Sequence, residues 1–192
     1  MTGASGALFT AHLLRLLQVD DRVRRVHFIA SDHALRIVTE ELGLTGGRSS
    51  LLETLLDGPA SDKFRVLRND DIGASIASGS YPCDGMIVLP CSMGTLASIA
   101  NGLAARLIDR AADVTLKEQR PLILCVRETP FNRIHLRNMT LAAEAGAVIY
   151  PVIPAMYFRP DGLDEIAKQF ASRVLAHIGL PQPDAYQWKA DD

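Results

Sequence analysis

Between Arg110 and Pro160 the chain twice makes the same move: an apolar run ends and charged or Pro-rich punctuation follows at once. The runs are residues 121–126 and 147–153. Short apolar runs bounded in this way suit strands covered on both faces, and the stretch between them has a helical pattern. The same alternation holds along the whole chain. Helical patterns cover residues 7–17, 32–42, 92–100, 103–117, 133–145 and 163–178, and a helical turn is expected over 71–78. Strand patterns cover 26–30, 64–67, 85–89, 121–126 and 147–149, while 43–60 is irregular around Gly46-Gly47. Strands that alternate with helices build a mainly parallel sheet with helices on both faces. The expected fold is therefore α/β, a three-layer Rossmann-like or flavodoxin-like sandwich. Residues 1–180 are expected to form a single domain, and 181–192 a Pro-rich arm in which Trp188 supplies something to bury.

Composition narrows the function classes. The 192 residues carry a formal net charge of -2, without the basic excess of a general nucleic-acid binder. No apolar run approaches the roughly 20 residues of a membrane helix, and the N-terminus has no basic region of the signal-peptide kind. Cys83, Cys91 and Cys125 are odd in number and lack metal spacing, which points to free thiols in a reducing, cytoplasmic setting. Cys125, inside an apolar strand, is expected to be a small core residue. No HExxH or Cys/His cluster is present, so no metal is expected. Arginine far outnumbers lysine, which occurs only at Lys63, Lys117, Lys168 and Lys189. That bias fits a GC-rich genome, and it also fits bidentate grip on phosphate or carboxylate.

Ligand groups of an open parallel sheet gather at the carboxyl ends of its strands. The TGASG loop (Gly3, Ala4, Ser5) opens a helix, whose free N–H groups favour an anion; an ordinary tight turn fits it equally well. Residues Ser92, Met93, Gly94 and Thr95 follow a strand and start another helix, as an anion site or as a simple cap. Ser31 ends its own strand and would make a third contact on the same rim. Arg127 and Glu128 follow residues 121–126, where a carboxylate can move a proton while cations hold a phosphate. Lys117 is either part of that group or a solvated helix end, and Arg173 equally fits an exposed helical charge. A phosphate loop normally follows a first strand, yet Met1 directly precedes this one. The expectation is that the natural chain starts earlier, because a missing central strand would leave sheet edges unpaired.

The segments TGASGA, PCSMGT, RAADVTLKEQRPLILCVRETP, HLRNM and PVIPAMY, taken in order, resemble the flavin prenyltransferases of the UbiX type, also described as phenylacrylic-acid decarboxylase-like proteins. The resemblance spans essentially the whole chain, and the RAADVTLKE-RPL-RETP block is its most specific part. Met156 stands where many members carry Phe. The resemblance implies that reduced FMN accepts a dimethylallyl group from dimethylallyl phosphate at N5 and C6. The product, prenylated FMN, serves a UbiD-type decarboxylase. It also implies a homo-oligomer, commonly a dodecamer, with flavin sites at subunit contacts and no requirement for metal.

Carried over by position, Gly3, Ala4, Ser5, Ser31, Ser92, Met93, Gly94, Thr95 and Arg127 match FMN contacts. Tyr157 and Arg173 match dimethylallyl-phosphate contacts. Lys117 and Glu128 match residues at the leaving phosphate, with Glu128 moving a proton. Glu41, Arg110 and Trp188 match further active-site positions, with Glu40 a rival for Glu41. Two other readings compete. One is an FMN-dependent decarboxylase of the phosphopantothenoylcysteine or lantibiotic type, whose PASANT loop and PxMNxxMW motif are absent. The other is a non-catalytic flavin carrier, which would not need Lys117, Glu128 and Arg173 together.

Overall fold

The structure is a computed structural model and describes residues 1–188. Among these, the strands are β1 (Val26–Ile29), β2 (Phe64–Leu67), β3 (Met86–Cys91), β4 (Leu122–Val126) and β5 (Val148–Ile149). The helices are α1 (Ala7–Val19), α2 (Asp32–Leu42), α3 (Leu51–Leu56), α4 (Met93–Ala100), α5 (Leu107–Lys117), α6 (Arg133–Glu144) and α7 (Leu163–Ala176). β4 is buried at every position, as its unbroken apolar run requires in a sheet covered on both faces. β3 and β5 flank it, both parallel, and β1 pairs with β2 in parallel.

Met1 and Thr2 occupy the lane between β1 and β3. The Met1 nitrogen donates to the Ile29 carbonyl at 2.8 Å, and the Ser31 N–H donates to the Met1 carbonyl at 3.1 Å. On the other side, the Thr2 N–H and hydroxyl both donate to the Pro90 carbonyl, at 3.1 and 2.8 Å. The strand sets β2-β1 and β3-β4-β5 are thus joined through these two residues. The TGASG loop leaves the middle of the sheet, at the carboxyl ends of its neighbours. That is the place a phosphate loop takes in a doubly wound fold.

Several boundaries differ from the sequence expectations. Residues 103–106 are not helical, and α5 starts at Leu107 because Asn69, just beyond β2, caps it: its carbonyl accepts from the Leu107 N–H at 2.8 Å and its side chain from the Ile108 N–H at 3.0 Å. The irregular region contains a short 3-10 turn at Gly47–Ser50 and then α3. There Leu51, Leu52, Leu55 and Leu56 are all buried, so tertiary burial sustains a helix too short to stand alone. The turn expected over 71–78 shrinks to Ser75–Ala77. β3 runs through Pro90 to Cys91. β5 falls within the expected 147–149, and beyond it Tyr150 and Val152 still donate to the Leu124 and Val126 carbonyls at 2.9 Å each.

The core forms on both sides of the sheet. One cluster joins α1, α3 and α7 through residues such as Leu14, Leu55 and Leu175; another joins β3, β4, α4 and α6. Cys91 and Cys125 are buried, and Cys83 is half-buried. Burial disfavours the thiolate, pushing Cys91 up to about 12 and Cys125 upward in the same direction. Both therefore stay protonated through neutral and mildly alkaline pH. In the native protein at pH 8, a thiol reagent is expected to label Cys83 rapidly and the other two only on unfolding. Three fast-reacting thiols would contradict this burial.

Candidate active site

Three helices begin on the carboxyl rim of the sheet. Ser31 caps α2, its hydroxyl accepting from the Ala34 N–H at 3.3 Å. Ser92 caps α4 in the same way, accepting from the Thr95 N–H at 3.3 Å and donating to the Thr95 hydroxyl at 3.1 Å. The Ser92 N–H in turn donates to the Thr2 hydroxyl at 2.8 Å, which locks the second loop to the first. Gly94 has open space where a side chain would project, and the N–H groups of a helix's first turn have no intrahelical partners. At Gly3 a Cβ would lie 2.4 Å from the His33 Cβ, so α2 can pack against the first loop only if that residue has no side chain. Small residues, first-turn N–H groups and open space at Gly94 fit the phosphate and ring edge of a flavin nucleotide.

Glu41 lies at the far end of α2 and reaches back to α1. Its carboxylate accepts from the Gly6 N–H at 3.1 and 3.0 Å and from the Ala7 N–H at 2.7 Å. Gly6 has no side chain to cap the helix it precedes, so Glu41 satisfies those N–H groups and complements the helix dipole. Glu40, its rival from the sequence, pairs instead with Arg36 at 2.7 Å on the surface. Glu41→Ala is expected to cost about 1 kcal/mol of stability, the usual size of a lost cap. Thermal unfolding checks this, and an unchanged transition would show that the contact is not stabilising.

Arg127 and Glu128 leave the end of β4. The Arg127 N–H donates to the Cys91 carbonyl at 3.1 Å, which fixes the start of this segment beside the second loop. The Glu128 side chain is exposed and accepts from the Thr129 N–H at 3.0 Å.

Arg110 and Lys117 form a separate group. They lie two turns apart on one face of α5, over the segment around residues 77–79. Arg110 donates to the Ala77 carbonyl at 3.1 Å and pairs with Asp113 at 2.8 Å. Lys117 pairs with Glu118, holding that carboxyl below its ordinary range. A Cβ on Gly79 would lie 2.4 Å from the Lys117 Nζ. The chain then turns at Gln119 and Arg120 and enters β4 from its amino end. Glu128 leaves at the other end, so five strand residues separate the two, roughly 16 Å at the usual rise. One protomer does not bring Lys117 and Glu128 together.

Tyr157, Arg173 and Trp188 do meet. They line a cavity of about 770 Å³ between the segment from Ile149 to Phe158, α7 and the C-terminal arm. Its remaining wall is largely aromatic and aliphatic, including Phe158, Phe170 and Tyr186. Tyr157 and Trp188 stand edge to face with ring centroids 5.0 Å apart. The sequence expectation that Trp188 is buried is corrected here: it is 62% exposed and Tyr157 is 71% exposed. Within one protomer the two rings mainly cover each other. Gln169 and Tyr186 also line the cavity and were not anticipated. Gln169 precedes Arg173 by one helical turn, and that spacing alone could have flagged it.

Among the described residues no cluster of three or more His, Cys, Asp or Glu side chains is placed to hold a metal ion. Nor is any helix among them long and apolar enough to cross a membrane.

The parallel sheet, the small-residue loop at its centre and the open helix starts beside it define a nucleotide-binding α/β protein of the flavin-binding type. Comparison with known proteins narrows this. Residues 1–171 match the Flavoprotein family model. The flavin prenyltransferase UbiX of Salmonella typhimurium is 44% identical over 183 residues, covering 95% of this chain and 91% of its own length. UbiX of Escherichia coli K12 is 42% identical over 184 residues, covering 96% and 92%. Among solved structures, AnUbiX in complex with FMN and dimethylallyl pyrophosphate superposes with a TM-score of 0.85 at 38% identity, covering 100% of this chain and 96% of that one. A dodecameric FMN-dependent UbiX-like decarboxylase from Escherichia coli O157:H7 gives 0.86 at 37% identity, covering 98% and 100%. The chain belongs to the UbiX-type flavin prenyltransferase family. Cypemycin decarboxylase, at 16% identity and a TM-score of 0.58, shares the fold alone.

Proposed function

We propose that this protein joins the dimethylallyl group of dimethylallyl phosphate to N5 and C6 of reduced FMN, releasing phosphate and prenylated FMN. The observation that carries this reading is the pairing of two distinct receptacles in one fold: an anion-ready rim of small residues and helix starts, and an aromatic cavity with a cation, Arg173, in its wall. The flavin is the acceptor, and its electron-rich ring supplies the nucleophile. Gly3, Ala4, Ser5, Ser31, Ser92, Met93, Gly94, Thr95 and Arg127 hold it on the rim. Tyr157, Arg173 and Trp188 enclose the isoprenoid and exclude water that would trap an allylic cation. Arg173 and the Tyr157 hydroxyl steady the departing phosphate. Glu128 moves the proton. Glu41 anchors the first loop at the edge of the same site.

Lys117 and Arg110 complete the phosphate site only from a neighbouring subunit, because their own β4 separates them from Glu128. A homo-oligomer, dodecameric as in the Escherichia coli O157:H7 relative, supplies that arrangement. The recipient of the product is a UbiD-type decarboxylase, and the setting is cytoplasmic.

Phosphate release tests the reading. Inorganic phosphate should appear from dimethylallyl phosphate only when protein and reduced FMN are both present, in a one-to-one ratio with flavin consumed. Release without flavin, or none with it, would overturn the proposal; a carrier would bind flavin and release nothing.

A further inference from the structure

Gln169 uses its side-chain amide as a backbone peptide would be used. Its Nε2 donates to the Asp184 carbonyl at 3.0 Å, and its Oε1 accepts from the Tyr186 N–H at 2.8 Å. Both halves of one amide are therefore spent on the C-terminal arm. The start of the arm is held elsewhere: Arg22 donates to the Pro181 carbonyl at 3.0 Å, and Gln182 donates to Asp20 at 3.1 Å. Lys168 adds a surface contact to Asp184 at 3.5 Å. Beyond Asp184, the Gln169 bond to Tyr186 is the last hydrogen bond to the arm among the described residues.

Just past that bond the arm enters the cavity wall. Tyr186 leans on Phe158 with centroids 5.7 Å apart, and Trp188 meets Tyr157 at 5.0 Å. A tryptophan as exposed as Trp188 is not held by burial. Its position follows from where the backbone two residues earlier is fixed, and Gln169 fixes it. The same helix face carries Arg173 one turn on, so one element sets both the cation and the aromatic wall.

We propose that Gln169 is a positioning residue of the isoprenoid pocket. It acts through the arm, holding Tyr186 against Phe158 and Trp188 against Tyr157 so that these rings together form one wall of the cavity. This rests on the prenyl-transfer reading for the name of the occupant, but the tether itself does not.

Gln169→Met tests it, since the side chain keeps its approximate size and loses both hydrogen bonds. Trp188 is the single tryptophan of the chain, so its fluorescence reports the arm directly. In flavin-free protein, anisotropy should fall and acrylamide quenching should rise. KM for dimethylallyl phosphate should increase roughly tenfold, the scale of one misplaced wall contact in an apolar pocket, while FMN affinity and kcat move less than about twofold. Gln169→Glu keeps the acceptor for Tyr186 and loses the donor, so it should fall between the two; it also serves if the Met variant does not fold. Combined with Trp188→Ala, the KM effects should be non-additive, because both act through one wall. Unchanged Trp188 anisotropy and quenching in both Gln169 variants, or additive KM effects, would overturn the proposal. If the parent protein transfers no prenyl group, the Trp188 measurements still decide the tether.

Discussion

Glu128→Gln is expected to bind FMN like the parent and to form product roughly 10²–10⁴-fold more slowly, the usual contribution of a positioned proton-transfer group. Glu128 is exposed at the end of β4, and its only side-chain hydrogen bond among the described residues is accepted from the Thr129 N–H. Glutamine keeps an oxygen for that N–H, so the fold should be indifferent to the change, within about 0.5 kcal/mol for a surface substitution. What glutamine cannot do is take up and return a proton. Flavin titration, single-turnover product formation and thermal unfolding separate the three properties. Turnover like the parent's would remove Glu128 from proton transfer, and weakened FMN binding would make it a cofactor contact instead.

Lys117→Ala should be as damaging, and the manner of its rescue is more informative. Loss of a cation that stabilises a leaving phosphate costs on the order of 10²–10³-fold in rate. Lys117 ends α5 near the amino end of β4 and Glu128 follows its carboxyl end, so the proposed site would take the two from different subunits. Two inactive variants, Lys117→Ala and Glu128→Gln, should therefore complement when dissociated together and reassembled. With random equal mixing in a symmetric oligomer, about a quarter of the sites should inherit both intact residues. If the two residues served within a single subunit, mixing would restore nothing. Activity near the quarter level supports the composite site; none at all, with mixed assembly verified by mass, contradicts it.

The sheet was legible because its central strands are unbroken apolar runs. β4 follows directly from residues 121–126, and β2 matches its expected bounds. The Ser92 cap was also readable, since a hydroxyl residue between an apolar run and a helical pattern has few other local roles; Ser31 was expected only as a contact at its strand's end, and it caps α2 in the same way. What the sequence hid were contacts between distant segments. The start of α5 depends on Asn69, which lies far back in the chain. α3 survives on four buried leucines in a stretch opened by Gly46-Gly47. The contact of Glu41 with α1 could not be read, because it joins residues 34 and 35 positions apart. The grouping of site residues was only half legible. Tyr157, Arg173 and Trp188 share a cavity that no local pattern announces. The separation of Lys117 from Glu128 was implicit, since a strand stands between them. A resemblance carried over residue by residue gives membership in a site and not the subunit that supplies each member.

The most direct measurement is the mass of the flavin after anaerobic incubation of the protein with reduced FMN and dimethylallyl phosphate. The flavin should gain one isoprene unit, with both new bonds, at N5 and C6, visible in the spectrum of the isolated product. Flavin recovered at its starting mass, from protein shown to bind both FMN and dimethylallyl phosphate, would contradict the account.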